Sequence, residues 1–215
     1  MRKTALTAAV LIATLSVGVG NRAQAEWPHD ANWQPPKTLM LRATVYSIAL
    51  EQDYAAGSDA AFKKLDGTVL YKASRAFVAA ASIQGSARLK DGRMLMFGGR
   101  DNGEVRWKFS PHGYAVGSLG CRLTPFRSAA VDKRVIPLGS KLIIPETRGM
   151  MLPDGTRHDG VWYAVDTGRL IKDSRIDLFV GAGKAPLATV KRHGIGHLEP
   201  LRVHLSGAAQ GCPSV

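Results

Sequence analysis

Three aspartates stand in separate apolar, strand-like stretches of this 215-residue chain. Asp132 follows Ala129-Ala130-Val131, Asp166 closes Val161-Trp162-Tyr163-Ala164-Val165, and Asp177 lies inside Arg175-Ile176-Asp177-Leu178-Phe179. A lone carboxylate in such a place most often caps a turn or pairs with one of the chain's 29 Lys and Arg. Three within one segment point to chemistry. A carboxyl half-buried among Ile, Leu and Phe has its charged form disfavoured, so its pKa rises and it becomes competent as a general acid.

The elements that must hold these acids are short strands. Lys141–Ile144, Val161–Val165, Arg175–Phe179 and Leu201–Leu205 recur with turn signals between them, which argues for a β-barrel or sandwich. Leu39–Tyr46 alternates as a further strand. From about Ser47 to Lys108 the pattern changes: Ser58 is placed to cap a short helix over 59–65, and Leu70, Ala73, Phe77 and Ala80 recur at helical spacing. Asp91-Gly92 marks the turn of a hairpin. Segment 47–111 thus reads as a small α/β insertion after the first strand, with 26–38 an irregular leader and 112–215 the remainder of the β domain.

Residues 1–25 carry Arg2 and Lys3, an apolar run from Ala5 to Gly20, and Ala23-Gln24-Ala25. This is the layout of a cleaved secretory signal. At roughly 15 residues the apolar run is shorter than the ~20 of a membrane span, so export is expected without stable membrane insertion. The formal charge is +12, and losing Arg2, Lys3 and Arg22 with the signal leaves +9. Such an excess suits an anionic partner. Export and the lack of any aromatic-basic module argue against nucleic acid and favour an acidic wall polymer. In an oxidising compartment Cys121 and Cys212 are expected to form one disulfide; neither has a Cys-His signature of a nucleophile.

The series Asp132, Ile136-Pro137-Leu138-Gly139-Ser140, Ala164-Val165-Asp166-Thr167-Gly168, Ile171-Lys172 and Ile176-Asp177-Leu178-Phe179 resembles the three-aspartate (3D) domain, shared with the catalytic barrel of membrane-bound lytic transglycosylase A. Leu123-Thr124-Pro125, Gly181-Ala182-Gly183 and the strand ending Ala43-Thr44-Val45-Tyr46 extend the likeness. The resemblance implies a mainly β fold, a six-stranded double-psi β-barrel. It also implies cleavage of the MurNAc-GlcNAc bond of peptidoglycan glycan strands, with a 1,6-anhydro ring left behind. One carboxyl serves as acid and then base, and no cofactor or metal is called for. By position in the motif Asp177 is the catalytic acid and Asp166 its charged neighbour. Asp132, Thr124, Thr167, Gly168 and Lys172 are candidates for holding substrate.

One stretch departs from the family pattern. Where the family reads Asp-Thr-Gly-Gly-Ala-Ile-Lys-Gly, this chain has Asp166-Thr167-Gly168-Arg169-Leu170-Ile171-Lys172-Asp173. If either replaced glycine needs a positive φ or a close approach to the sugar, Arg169 or Asp173 would be strained or would obstruct the groove. That opens an alternative, a non-catalytic wall-binding barrel. A dimeric aspartic protease, suggested by Asp166-Thr167-Gly168 alone, ranks lower because such enzymes need two facing turns. Gly181-Ala182-Gly183-Lys184 departs from a phosphate loop at two positions. His193 and His197 are separated by glycines that oppose a zinc-binding helix.

Overall fold

The structure, a computed structural model, describes residues 37–207, 211 and 212. The expected signal and most of the leader lie outside the described residues. The first element, β1 (Thr38–Leu50), runs past the expected end at Tyr46 because it serves two sheets. Its first part pairs with β10 (Arg175–Ala182) and β11 (Glu199–Leu205), and its last residues, Ala49 and Leu50, pair with β4 (Ser86–Arg88).

Six strands close a barrel. With β7 (Ser128–Val131), β8 (Lys141–Ile143) and β9 (Val161–Asp166), the order is β10-β7-β9-β8-β11-β1, and the parallel β1–β10 pair seals the ring. Closure removes the exposed edges that short strands would otherwise present. Every strand sends apolar residues inward: Leu41 and Ala43, Ala129 and Val131, Leu142, Trp162 and Ala164, Ile176, Leu178 and Val180, Leu201 and Val203. Trp162 is fully buried, and its indole N–H donates to Thr147 Oγ1 at 3.0 Å. Burial of each large side chain contributes about 1.5–3 kcal/mol.

Residues between β1 and the rest of the barrel build a second core. It is made by β2 (Ala60–Lys63), β3 (Val69–Ala73), α1 (Arg75–Gln84), β4, β5 (Met94–Asp101) and β6 (Glu104–Phe109). Phe62 meets Phe77 and Trp107 edge-on with ring centroids 5.3 and 5.0 Å apart. The helix expected over 59–65 is instead β2, paired antiparallel with β3 so that Phe62 enters this core. Tertiary pairing overrides the capping signal at Ser58. The Asp91-Gly92 turn joins β4 to β5 as expected, with Gly92 at φ 86. The remaining helix, α2 (Ala185–Arg192), follows β10 and buries Val190 against the barrel core. No helix among the described residues is long and apolar enough to cross a membrane.

Candidate active site

Alternation along β1 and β10 sets two faces. Leu41, Ala43, Ile176 and Leu178 point into the barrel, so Thr44, Tyr46, Asp177 and Phe179 lie on its outer face. The register then lines up one row across four strands: Thr44 on β1, Asp177 on β10, Ala130 on β7 and Asp166 on β9. Ala130, the smallest side chain in the row, stands between the two acids and is buried in the cluster with Tyr46, Val165 and Phe179. Asp166 joins the row through a register shift between β7 and β9, where Ala129 pairs with Ala164 but Ala130 pairs with Asp166. Such bulges re-aim a side chain.

Asp177 is half-buried, and its carboxyl is pushed up from 3.8 to about 6. Burial is the main cause. The Thr44 hydroxyl donates to Oδ1 at 2.8 Å and, with the Arg175 charge, pulls the other way, while Asp166 adds an upward push. With Oδ1 committed to Thr44, Oδ2 is left to carry the proton.

Asp166 is held by donors on every side. Oδ1 accepts from the Ser118 N–H at 2.9 Å, the Ser118 hydroxyl at 2.9 Å and the Thr167 N–H at 2.8 Å, and Oδ2 accepts from the Tyr46 hydroxyl at 3.0 Å. A carboxylate anion is the acceptor that this set fits. The Tyr46 phenol is pushed well above its usual value, first by burial and then by the Asp166 and Asp177 charges, so it remains a donor. Its ring packs on Phe179 at 5.2 Å. The Thr167 and Ser118 hydroxyls are 2.7 Å apart.

Asp132 does something else. Its side chain is 3% exposed and binds Arg134 through Nε and Nη2, accepts the Arg134 N–H, and accepts the Asp173 N–H at 3.0 Å. These bonds, led by the Arg134 guanidinium, hold its carboxyl far below the usual carboxylate range. Asp132 therefore fastens the Asp173 turn to the end of β7 and has no bond to Asp166 or Asp177. Asp173 does occupy the left-handed region, at φ 50, where the family pattern has glycine. Asp tolerates that conformation better than most residues. Its backbone is held by Asp132, and Asp173 Oδ1 reaches Arg134 at 3.2 Å. Arg169 is not among the residues of positive φ, so the expected strain falls at one of the two positions.

Gly168 lies where an added Cβ would come within 2.6 Å of Ile171 Cγ1, which fixes the tight turn after Asp166. Lys172 projects into solvent, and its carbonyl accepts the Arg175 N–H at 3.1 Å. Thr124 acts through its backbone, donating N–H to Ser128 Oγ and accepting from Arg127 and Ser128 N–H at the entry to β7. Cys121 and Cys212 are bonded. No cluster of three or more His, Cys, Asp and Glu suited to a metal ion occurs among the described residues.

Sequence reasoning missed Thr44, Tyr46 and Ser118. The first two carried a signal, since Thr44 and Tyr46 share a strand face by alternation. Ser118 carried none, because its partner lies 48 residues away.

Residues 127–194 match the 3D domain family model. No curated protein sequence matches the chain. The fold is similar to that of Escherichia coli MltA with bound chitohexaose, at 15% identity and TM-score 0.60, covering 80% of this chain and 72% of that one. A second structure of Escherichia coli MltA, described as a unique lytic transglycosylase fold, matches at 14% identity and TM-score 0.51 over the same shares. The chain thus carries a 3D domain within an MltA-like barrel.

Proposed function

We propose that this protein is a peptidoglycan lytic transglycosylase in which Asp177 alone carries both proton transfers. The observation that carries the reading is a single half-buried carboxyl, raised to about 6, on an outer barrel face beside a second carboxylate that donors hold in place. A group that must first give and then take a proton works best with a pKa near the working pH.

In this scheme Asp177 Oδ2 protonates the oxygen linking MurNAc to GlcNAc, the C1–O bond breaks, and positive charge develops at C1. Asp166 lies one strand beyond Ala130, where its negative charge favours that cation. The Asp177 carboxylate then removes the C6 hydroxyl proton as O6 closes on C1. No water is consumed, and the two-carboxylate spacing of ordinary glycosidases is not required. The chitohexaose bound by the similar MltA supports a glycan as ligand. In this reading the second core of residues 47–111 flanks the bound strand, and export through segment 1–25 brings the enzyme to the wall. Asp132 supports the site through the Asp173 turn.

The test is the products released from purified sacculi. Asp177→Asn should lower 1,6-anhydro muropeptide release by ~10³- to 10⁴-fold while binding to sacculi persists, and wild-type release should fall as pH rises above about 6. A wild-type protein that binds sacculi yet releases no anhydro product would establish the wall-binding module instead.

A further inference from the structure

Next to the acid, one step back along both strands, stands a pair of like charges. Arg42 on β1 is register-paired with Arg175 on β10, and the following pair on the same face is Thr44 with Asp177. Two like charges side by side on neighbouring parallel strands repel, and an anion at this rung would offset that repulsion. Among the described residues neither guanidinium has an ion pair or a side-chain hydrogen bond. Arg175 Nε is buried with no hydrogen-bond partner at all. An unmet buried donor of this kind costs about 1–3 kcal/mol, and one beside a reacting carboxyl has a ready explanation in a ligand that completes it. Asp177 feels the Arg175 charge, yet its own Oδ1 is taken by Thr44.

We propose that Arg175 and Arg42 form a carboxylate-binding subsite that receives the acidic O3 substituent of a muramyl residue. The inference rests on the glycan reading above and sharpens it from any aminosugar chain to one bearing carboxylates. Two guanidinium-bearing side chains sit side by side on adjacent strands, and a guanidinium fork suits a planar carboxylate. The rung precedes the Thr44–Asp177 pair on the same face, so a sugar whose substituent docks there has its ring directed along the face toward Thr44 and Asp177. Two sources offer this chemistry, the lactyl carboxylate itself and the carboxylates of an attached peptide.

The experiment measures binding by calorimetry to the Asp177→Asn chain, which blocks turnover. Three probes of equal glycan length are compared: chitohexaose, which is neutral, a muramyl-containing strand stripped of peptide, and the same strand with peptides attached. At least one acidic strand should bind ~10-fold more tightly than chitohexaose. Preference for the stripped strand assigns the lactyl group, and preference for the other assigns the peptide. Arg175→Gln should bring the acidic-to-neutral ratio close to one, Arg175→Lys should restore part of it, and Arg42→Gln, at an exposed position, should lower it without a folding penalty. A ratio near one before substitution, or one that survives both Gln variants, would overturn the subsite while leaving glycan binding intact. Failure of every glycan to bind would overturn the glycan reading and the subsite together.

Discussion

Asp177 keeps its proton to about pH 6 because the fold withdraws it from water, and that has a consequence for stability as well as for the proposed catalysis. A carboxyl whose folded pKa lies above its unfolded value binds protons more tightly in the native state. Its favourable contribution is complete below about pH 3.8 and is lost as pH rises through 6. Asn in its place keeps an oxygen for the Thr44 hydroxyl and removes the charge. Asp177→Asn should therefore be more stable than wild type at pH 8, by on the order of 2–3 kcal/mol, and the gap should close toward pH 4. Urea unfolding of both proteins at the two pH values checks this; a gap independent of pH would mean the carboxyl is not desolvated as described. Asp166 and Asp177 were legible in the sequence as acids set in apolar strands. Asp132, read from the same pattern, is a latch between Arg134 and the Asp173 turn, and the turn it holds lies 41 residues away, beyond the reach of any local pattern.

At the scale of elements, the site depends on register. The row Thr44, Asp177, Ala130 and Asp166 exists only because β1, β10, β7 and β9 align in that order, with a shift opposite Val165. Strand positions were legible from apolar runs, whereas pairing partners and the shift were not, since both arise from long-range contacts. For the same reason Ser58 suggested a helix where β2 pairs with β3. The 115–123 hairpin shows how tightly the arrangement is drawn. Gly117 packs so that an added Cβ would fall 2.5 Å from the Val165 carbonyl oxygen and 3.2 Å from Asp166 Cβ. Its need for glycine is steric, because its φ is not positive. Gly117→Ala should push Ser118 away from Asp166, costing about 1–3 kcal/mol and lowering product release more than Ser118→Ala, which removes only the hydroxyl. Thermal melts and release assays on the two variants decide the matter, and a Gly117→Ala protein matching wild type in both would refute the packing argument.

Across the whole molecule, the closed barrel carries the acids on its outer face, and a covalent tie joins distant parts of the chain to that face. The mainly β character and the pairing of the two cysteines were legible from strand frequency and expected compartment, while the tie's relation to the site was visible only in three dimensions. Cys121 lies three residues beyond Ser118, in the hairpin closed by the Val116–Arg122 bridge, and its partner Cys212 lies past the end of β11. The bond spans 91 residues of sequence. In the chain-entropy account a loop of that size stabilises by about 4–5 kcal/mol, and measured values for native bonds centre on ~2–4 kcal/mol. Cys212→Ser is the cleaner variant, since it changes an exposed residue and leaves Cys121, which is 3% exposed, as a small apolar filler. It should lower the free energy of unfolding by ~2–4 kcal/mol. Because the hairpin that presents Ser118 to Asp166 loses its anchor, it should also slow anhydro-muropeptide release under conditions where the protein is still folded. Dithiothreitol should reproduce both effects in wild type and neither in the variant. Unchanged release in a folded Cys212→Ser protein would show that packing of Leu119, Cys121 and Leu123 against the outer-face cluster suffices to hold Ser118 in place.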